Sequence, residues 1–247
     1  MNLIQLHEVA STNSYLRELL SSQPELPEYT LIDTFAQTNG RGQRGNSWES
    51  DAGHNVSCSL LIRPREIDYP FDLNIIISLA IRDVLTSYLP AHKIFVKWPN
   101  DLLINDRKVA GILIENEWLG TEWSYSIIGI GLNVCQTHFG DYRPQATSLK
   151  LEGAILPLAY AKWHNPLLTA ITERLQQRRR ELIENPEILR REYHNRLFGI
   201  HERHLFSLPN GENFEGTIER VLQNGMLQVQ TPKGVGLFAF KEIRMII

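Results

Sequence analysis

Cysteine is scarce in this chain. Cys58 and Cys135 are the two in 247 residues, and they form none of the spacings that disulfide frameworks or zinc sites use. Such usage argues for a reducing compartment, and the chain is read as cytoplasmic. A basic excess is also missing. Twenty-five Lys and Arg face 28 Asp and Glu, a formal net charge of −3, which speaks against a dedicated nucleic-acid surface. No uninterrupted apolar run approaches the roughly 18 residues that a membrane span needs. The start, MNLIQLHEVASTNSYL, carries acidic Glu8 and no basic segment followed by a long apolar run, so a secretory signal is not expected. Internal repeats and low-complexity tracts are absent. What remains is 43% apolar and 21% charged, ordinary for a soluble globular protein, and long enough for one large core plus a small satellite domain.

The hydrophobic pattern organises that length. A helix is expected from Ser11, an N-cap residue followed by Tyr15, Leu16, Leu19 and Leu20 on one face, with Pro24 and Pro27 ending it. Strands are expected over 29–35 and 55–62, separated by a glycine-rich polar loop over 37–49. The clearest helix spans 72–89, with Asp72 as its expected cap. Four strands follow in close succession, over 93–98, 102–105, 109–117 and 123–131, with polar turns at 105–107 and 120–122. Strands joined this tightly favour a mixed or largely antiparallel sheet over βαβ repeats. Helical pattern returns over about 158–197, with interruptions expected near Pro166 and Pro186. Beyond residue 200, Pro209-Asn210-Gly211, Asn224-Gly225 and Pro232-Lys233-Gly234 punctuate short strands. That turn density suggests a small closed β-barrel. The expected division is 1–200 and 201–247.

Three segments carry chemistry. Gly40-Arg41-Gly42-Gln43-Arg44-Gly45 fits G-x-G-x-x-G literally, but the dinucleotide fingerprint needs a helix starting at the loop. The polar, turn-rich residues that follow argue against an NAD site. Even so, the glycines let backbone approach a ligand, Arg41 and Arg44 supply charge for phosphate or carboxylate, and Trp48 offers a flat apolar surface. A surface hairpin with solvated arginines is an equal reading of the loop alone. In Lys97-Trp98-Pro99-Asn100-Asp101-Leu102, proline stiffens a corner from which Asn100 and Asp101 project; an Asx-type turn explains that pair alone more simply. Lys108 leads into an apolar strand interrupted by Gly111, and Ile128-Gly129-Ile130-Gly131-Leu132-Asn133 repeats the interruption. Glycine weakens strands unless something approaches the backbone, so a ligand lying across a sheet is one reading and barrel-like bending is the other.

Taken in order, these pieces resemble biotin protein ligases. The likeness rests on Ser11-Thr12-Asn13, Gln37 through Gly42, Lys97 through Leu102, Asp106 through Glu115 and Gly129 through Asn133, with Ala146-Thr147-Ser148-Leu149 as a further landmark. It covers about residues 8–150. The resemblance implies an α+β catalytic domain, a mixed sheet flanked by helices and related to class II aminoacyl-tRNA synthetases, followed by an SH3-like barrel. It implies that biotin is activated by ATP to biotinyl-5'-AMP, with release of pyrophosphate, and then passed to a lysine of a biotin carboxyl carrier protein. Mg²⁺ would arrive with ATP, near Asp101, rather than in a site held by protein alone. Under the same resemblance Ser11, Thr12, Asn13, Gln37, Arg41, Gly42, Gln43, Lys108, Gly111, Gly129 and Gly131 would hold biotin. Gly40, Arg41, Arg44, Trp48, Asn100, Lys108 and Asn133 would hold the adenylate. Lys108, Arg41 and Asp101 would carry the chemistry, Asp101 by orienting or deprotonating the acceptor lysine.

Two departures stand out. Gln43 occupies a position that is often arginine in the family, and the motifs begin by Ser11, leaving no room for the DNA-binding domain that some members carry. No nucleic acid partner is expected, and Arg178-Arg179-Arg180 reads as a solvated helix face. The family often forms dimers, yet no motif fixes an interface. A lipoate ligase, which shares the fold, and a catalytically silent biotin-binding module are the rival readings.

Overall fold

The computed structural model describes residues 2–247, except for the side chain of Arg44, which lies outside the described residues. Two sheets organise the chain. The larger has seven strands in the order β1-β2-β3-β7-β6-β5-β4. Here β1 is Asn2–Val9, β2 Thr30–Gln37, β3 Asn55–Ile62, β4 Ile94–Lys97, β5 Asp101–Ile104, β6 Arg107–Leu119 and β7 Glu122–Asn133. Only β1 and β2 pair in parallel, through the crossover helix α1 (Thr12–Ser22); the other neighbours are antiparallel. This is the mixed sheet expected. Strand β1 was not among the expected elements: it is a half-exposed edge with no clean alternation to betray it.

Period-two alternation divides the sheet into two unlike faces. One presents Val56, Cys58, Leu60, Ile112, Ile128, Ile130 and Leu132 to a core shared with α2 (Pro70–Tyr88) and α3 (Tyr160–Glu184). The other presents Ile32, Leu61 and Ile127, which Leu16 and Leu20 of α1 cover. Helix α1 is too short to cover the rest of that face. The strip it leaves bare becomes the cleft.

Two expectations need correction. Asp72 does not cap α2. Pro70 opens the helix, and Asp72 sits buried in the first turn with its carboxylate held by Arg190 at 2.8 Å. Nor does Pro166 break α3, which runs unbroken through it. Proline removes one helical hydrogen bond, but buried Trp163, Leu167, Leu168, Ile171 and Leu175 keep the helix docked on the core, and that packing outweighs the loss. Pro186 does separate the helices, opening α4 (Pro186–Asn195). Arg178 and Arg179 are not solvated. They are buried and paired, Arg178 with Asp83 and Glu192 and Arg179 with Glu28.

The smaller sheet is antiparallel, five strands in the order β11-β10-β9-β8-β12, and matches the SH3-like unit expected at the C-terminus. Its strands are β8 Arg203–Ser207, β9 Asn213–Val221, β10 Leu227–Thr231, β11 Gly234–Phe238 and β12 Arg244–Met245. Trp98 ties the two sheets together. Its indole Nε1 donates to the Gly225 carbonyl at 2.9 Å, and its ring meets Phe240 edge-on.

A buried pair on the α3 side sets a pH dependence. His164 Nε2 lies 3.3 Å from Asp33 Oδ1, but the contact lacks hydrogen-bond alignment. Burial raises the Asp33 carboxyl from 3.8 to about 6 and lowers His164 to about 4. A raised acid stabilises the fold below pH 3.8 and loses that contribution as pH rises through about 6; the lowered histidine contributes above its unfolded value and loses it toward about pH 4. The two trends oppose each other over the same window. Asp33→Asn is therefore expected to raise the melting temperature at pH 7.5, by an amount worth about 3 kcal/mol at most. The variant should also lose stability more steeply than the parent between pH 6.5 and 4. Thermal unfolding across that range is the check, and parallel curves would contradict the assignment.

Candidate active site

The bare strip of the sheet floors a cleft of about 1040 Å³. Its floor follows from register. Gly131 of β7 lies opposite Gly111 of β6, and Gly129 lies opposite Leu113. On the other side of β7, Gly131 pairs with Ser57 and Gly129 with Ser59. A side chain at either β7 glycine would collide with what lies above it. A Cβ on Gly129 would fall 2.5 Å from Asn13 Oδ1, and one on Gly131 would fall 2.2 Å from the Trp48 indole. Strand bending does not account for these glycines, because the β6–β7 register is regular across them; what they admit is the Asn13 side chain and the Trp48 indole.

One end of the cleft is a compact polar network at the start of α1. Ser11 caps the helix, and Ser11, Thr12 and Asn13 are all buried. Gln37 Oε1 accepts from the Thr12 amide at 2.9 Å and from its hydroxyl at 3.2 Å. Ser59 sits beneath, its hydroxyl 2.7 Å from Thr12 Oγ1 and in contact with Asn13 Oδ1. Asn13 Nδ2 donates to Glu115 at 2.7 Å. Buried donors and acceptors this close to a hollow select a ligand with a matching pattern, because an unpaired buried polar group costs about 1–3 kcal/mol.

The expected cations line the same cleft, each held by its own carboxylate. Arg41 meets Glu115 at 2.8 Å, an acid also held by Arg17 at 3.1 Å. Burial pushes the Glu115 carboxyl up, but hydrogen bonds from Asn13 and Arg17 and the charges of Arg17 and Arg41 outweigh it and hold it below the usual range. Lys108 meets Asp101 at 2.7 Å, with its ammonium 5.7 Å from the Trp48 ring centre. Gly111, beside Lys108, and Glu115, beside Arg41, are four residues apart on one strand, roughly 13 Å between their backbone positions.

Most expected site residues come together here: Ser11, Thr12, Asn13, Gln37, Arg41, Gly42, Gln43, Trp48, Asn100, Asp101, Lys108, Gly111, Gly129, Gly131 and Asn133 all line the cleft. Gly40 does not. It closes the loop from behind, accepting from the Trp48 amide at 2.9 Å, and a Cβ there would strike the Trp48 carbonyl. Arg44 was expected to hold the adenylate, and its side chain lies outside the described residues. The loop itself contains a single 3-10 turn, Gln43–Gly45, and then extends. Two amides are committed to the scaffold: Asn100 donates to the Ile112 carbonyl at 2.7 Å and Asn133 to the Thr147 carbonyl at 2.9 Å. Among the described residues no cluster of three His, Cys, Asp or Glu could hold a metal.

Sequence reasoning missed several residues that brace or line the cleft. Ser59 was legible as the polar side of an alternating strand, and Glu115 stood inside a quoted motif without a role. Phe139 and Tyr142, whose hydroxyl hydrogen-bonds Glu49 across the cleft, come from the loop after β7. Phe240 and Arg244 come from the small sheet. Nothing local marks these four; only the fold brings them in.

Comparison with known proteins agrees with this geometry. A profile of the Biotin/lipoate A/B protein ligase family matches residues 6–133. The chain is 31% identical over 232 residues to a biotin–[acetyl-CoA-carboxylase] ligase of Mycobacterium tuberculosis, covering 90% of this chain and 82% of that one. It is 32% identical over 177 residues to the enzyme of the same name from Paracoccus denitrificans, covering 65% and 73%. Among solved structures, biotin protein ligase from Aquifex aeolicus in complex with biotin and ATP superposes with a TM-score of 0.79 over 99% of this chain and 98% of that one, at 23% identity.

Proposed function

Since the chain belongs to the biotin/lipoate A/B protein ligase family, we propose that it joins biotin to ATP as biotinyl-5'-AMP and then passes biotin to a lysine of a biotin carboxyl carrier protein. The observation that supports this most is the pairing of a glycine floor with unlike ends. A buried amide-and-hydroxyl network suits the ureido ring of biotin, and a lysine ammonium suits a phosphate.

Carboxylates do not acylate amines at neutral pH, so the acid first needs a leaving group. Its oxygen attacks the α-phosphorus of ATP, the bond to the β-phosphate breaks, and pyrophosphate departs. Lys108 is placed to exchange Asp101 for the α-phosphate and to stabilise the charge gathering on its oxygens. Asp101, released by that exchange, is then available to accept a proton from the incoming lysine, which must be neutral to attack the acyl carbon of the mixed anhydride; the acyl–oxygen bond breaks and AMP departs. Arg41, drawn from Glu115, neutralises the acid carboxylate or the α-phosphate from the other side. Mg²⁺ prefers a few carboxylate and phosphate oxygens with water; Asp101 and the ATP phosphates meet that demand, and the ion would offset phosphate charge. Trp48 supplies the flat wall for adenine.

Incubating the protein with ATP, Mg²⁺, biotin and an apo carrier domain should yield a carrier heavier by one biotinyl group. A carrier modified by lipoate but not by biotin would favour the sister activity instead, and an unmodified carrier despite ligand binding would favour a silent binding module. Gln43 adds a narrower expectation. Its Oε1 is buried without a hydrogen-bond partner among the described residues, and it brings no charge to the loop. Gln43→Arg should therefore slow the escape of free biotinyl-AMP, severalfold by single-turnover trapping; equal release rates would dismiss the idea.

A further inference from the structure

One row of residues crosses five strands of the large sheet without a break. Ser57 of β3 pairs with Gly131 of β7, Gly131 with Gly111 of β6, Gly111 with Asp101 of β5, and Asp101 with Lys97 of β4. Residues directly opposite in antiparallel strands share a face, so the whole row looks into the cleft. It grades from bare backbone at the glycines to charge at its outer end. With strands about 4.8 Å apart, Lys97 stands roughly 10 Å beyond Gly111, the floor position that Lys108 overhangs.

The charges at that end do not balance. Asp101 is taken by Lys108 at 2.7 Å, while Lys97 has no ion-pair partner among the described residues. Burial pulls the Lys97 ammonium below its ordinary pKa; Asp101 opposes the shift, and Lys108 and Arg244 reinforce it. Three cations and one carboxylate therefore border this part of the cleft. Such an arrangement is costly without an anion and favours one strongly when it enters.

We propose that Lys97 is a second phosphate-binding cation, which engages the β- and γ-phosphates of ATP and the pyrophosphate they become, while Lys108 serves the α-phosphate. The assignment rests on the reading of the cleft as an adenylation site. It divides labour along the row: the α-phosphate lies over the glycine floor and the departing pair of phosphates lies outward, toward β4. Holding that pair helps the leaving group to form and sets how tightly the product stays.

Lys97→Met and Lys97→Arg test it. For Lys97→Met, the biotin-dependent exchange of pyrophosphate into ATP should fall at least about tenfold, with a matching rise in the KM for ATP. Inhibition by added pyrophosphate should weaken, and arginine should restore most of each. Transfer to apo carrier from supplied biotinyl-AMP should stay within about twofold of the parent, because that step uses neither outer phosphate. Calorimetric titration with pyrophosphate alone needs no biotin; weaker binding by Lys97→Met supports the role whichever acid the parent activates. Unchanged pyrophosphate affinity would overturn it, as would an equal loss in both half-reactions that arginine fails to rescue. Failure of the parent to exchange pyrophosphate with biotin would count against the adenylation reading, separately from the titration.

Discussion

Lys108→Ala should lower biotinyl-AMP formation by about 10²–10³-fold, the usual cost of removing one donor aimed at developing charge. The expectation rests on placement. Lys108 reaches over Gly111 in the cleft floor, and Asp101 holds its ammonium there, beside the Trp48 ring. An entering phosphate meets a charge already positioned, and the alanine variant offers none. Loss should appear chiefly in kcat, measured by adenylate formation under single-turnover conditions, while biotin still binds the polar network at α1. Lys108→Arg is not a conservative repair, since a planar fork replaces a compact point charge. A Lys108→Ala enzyme with near-parental turnover would remove the basis of the proposed chemistry.

Gly129→Ala should weaken biotin binding by about a hundredfold or more, although only a methyl group is added. The new Cβ would sit 2.5 Å from Asn13 Oδ1. Asn13 cannot swing aside cheaply, because Ser59 holds its carbonyl oxygen and Glu115 holds its amide. Moving it disturbs Thr12 and Gln37 through Ser59. Overpacking of this kind costs typically about 1–3 kcal/mol of stability, and each polar group left unpaired in the hollow costs a similar amount in binding. Titration with biotin, with thermal unfolding alongside, separates the two effects. A variant that binds biotin as the parent does would show that this end of the floor carries no ligand.

How much of this was readable beforehand depended on whether the signal was local. Strong periodicity marked α2, and the glycines at 111, 129 and 131 marked two interrupted strands, open to a ligand or to bending, of which Gly111 and Gly131 prove to lie opposite each other. The polar residues at 11–13 were quoted as a group, and the fold delivers them as one network. By contrast, β1 hid because a half-exposed edge strand need not alternate. Pro166 misled because a local rule about helix breaking was outvoted by tertiary packing. Arg178 looked solvated among glutamates, yet Asp83 lies 95 positions upstream and no spacing rule links them. The same limit applied to the cations. Arg41 and Lys108 were expected to line one site, and only the fold reveals that Glu115 and Asp101 hold them there.

Trp98 gives the small C-terminal sheet a hold on the cleft. One indole joins the corner bearing Asn100 and Asp101 to Gly225 and Phe240. Cutting the chain near residue 200 would thus do more than trim an appendage: it would strand a donor that has lost its acceptor and open one flank of the hollow to water. The small sheet acts as a bracket on the corner that carries Asp101, so a chain shortened there is expected to lose alignment at Asp101 before the remainder unfolds.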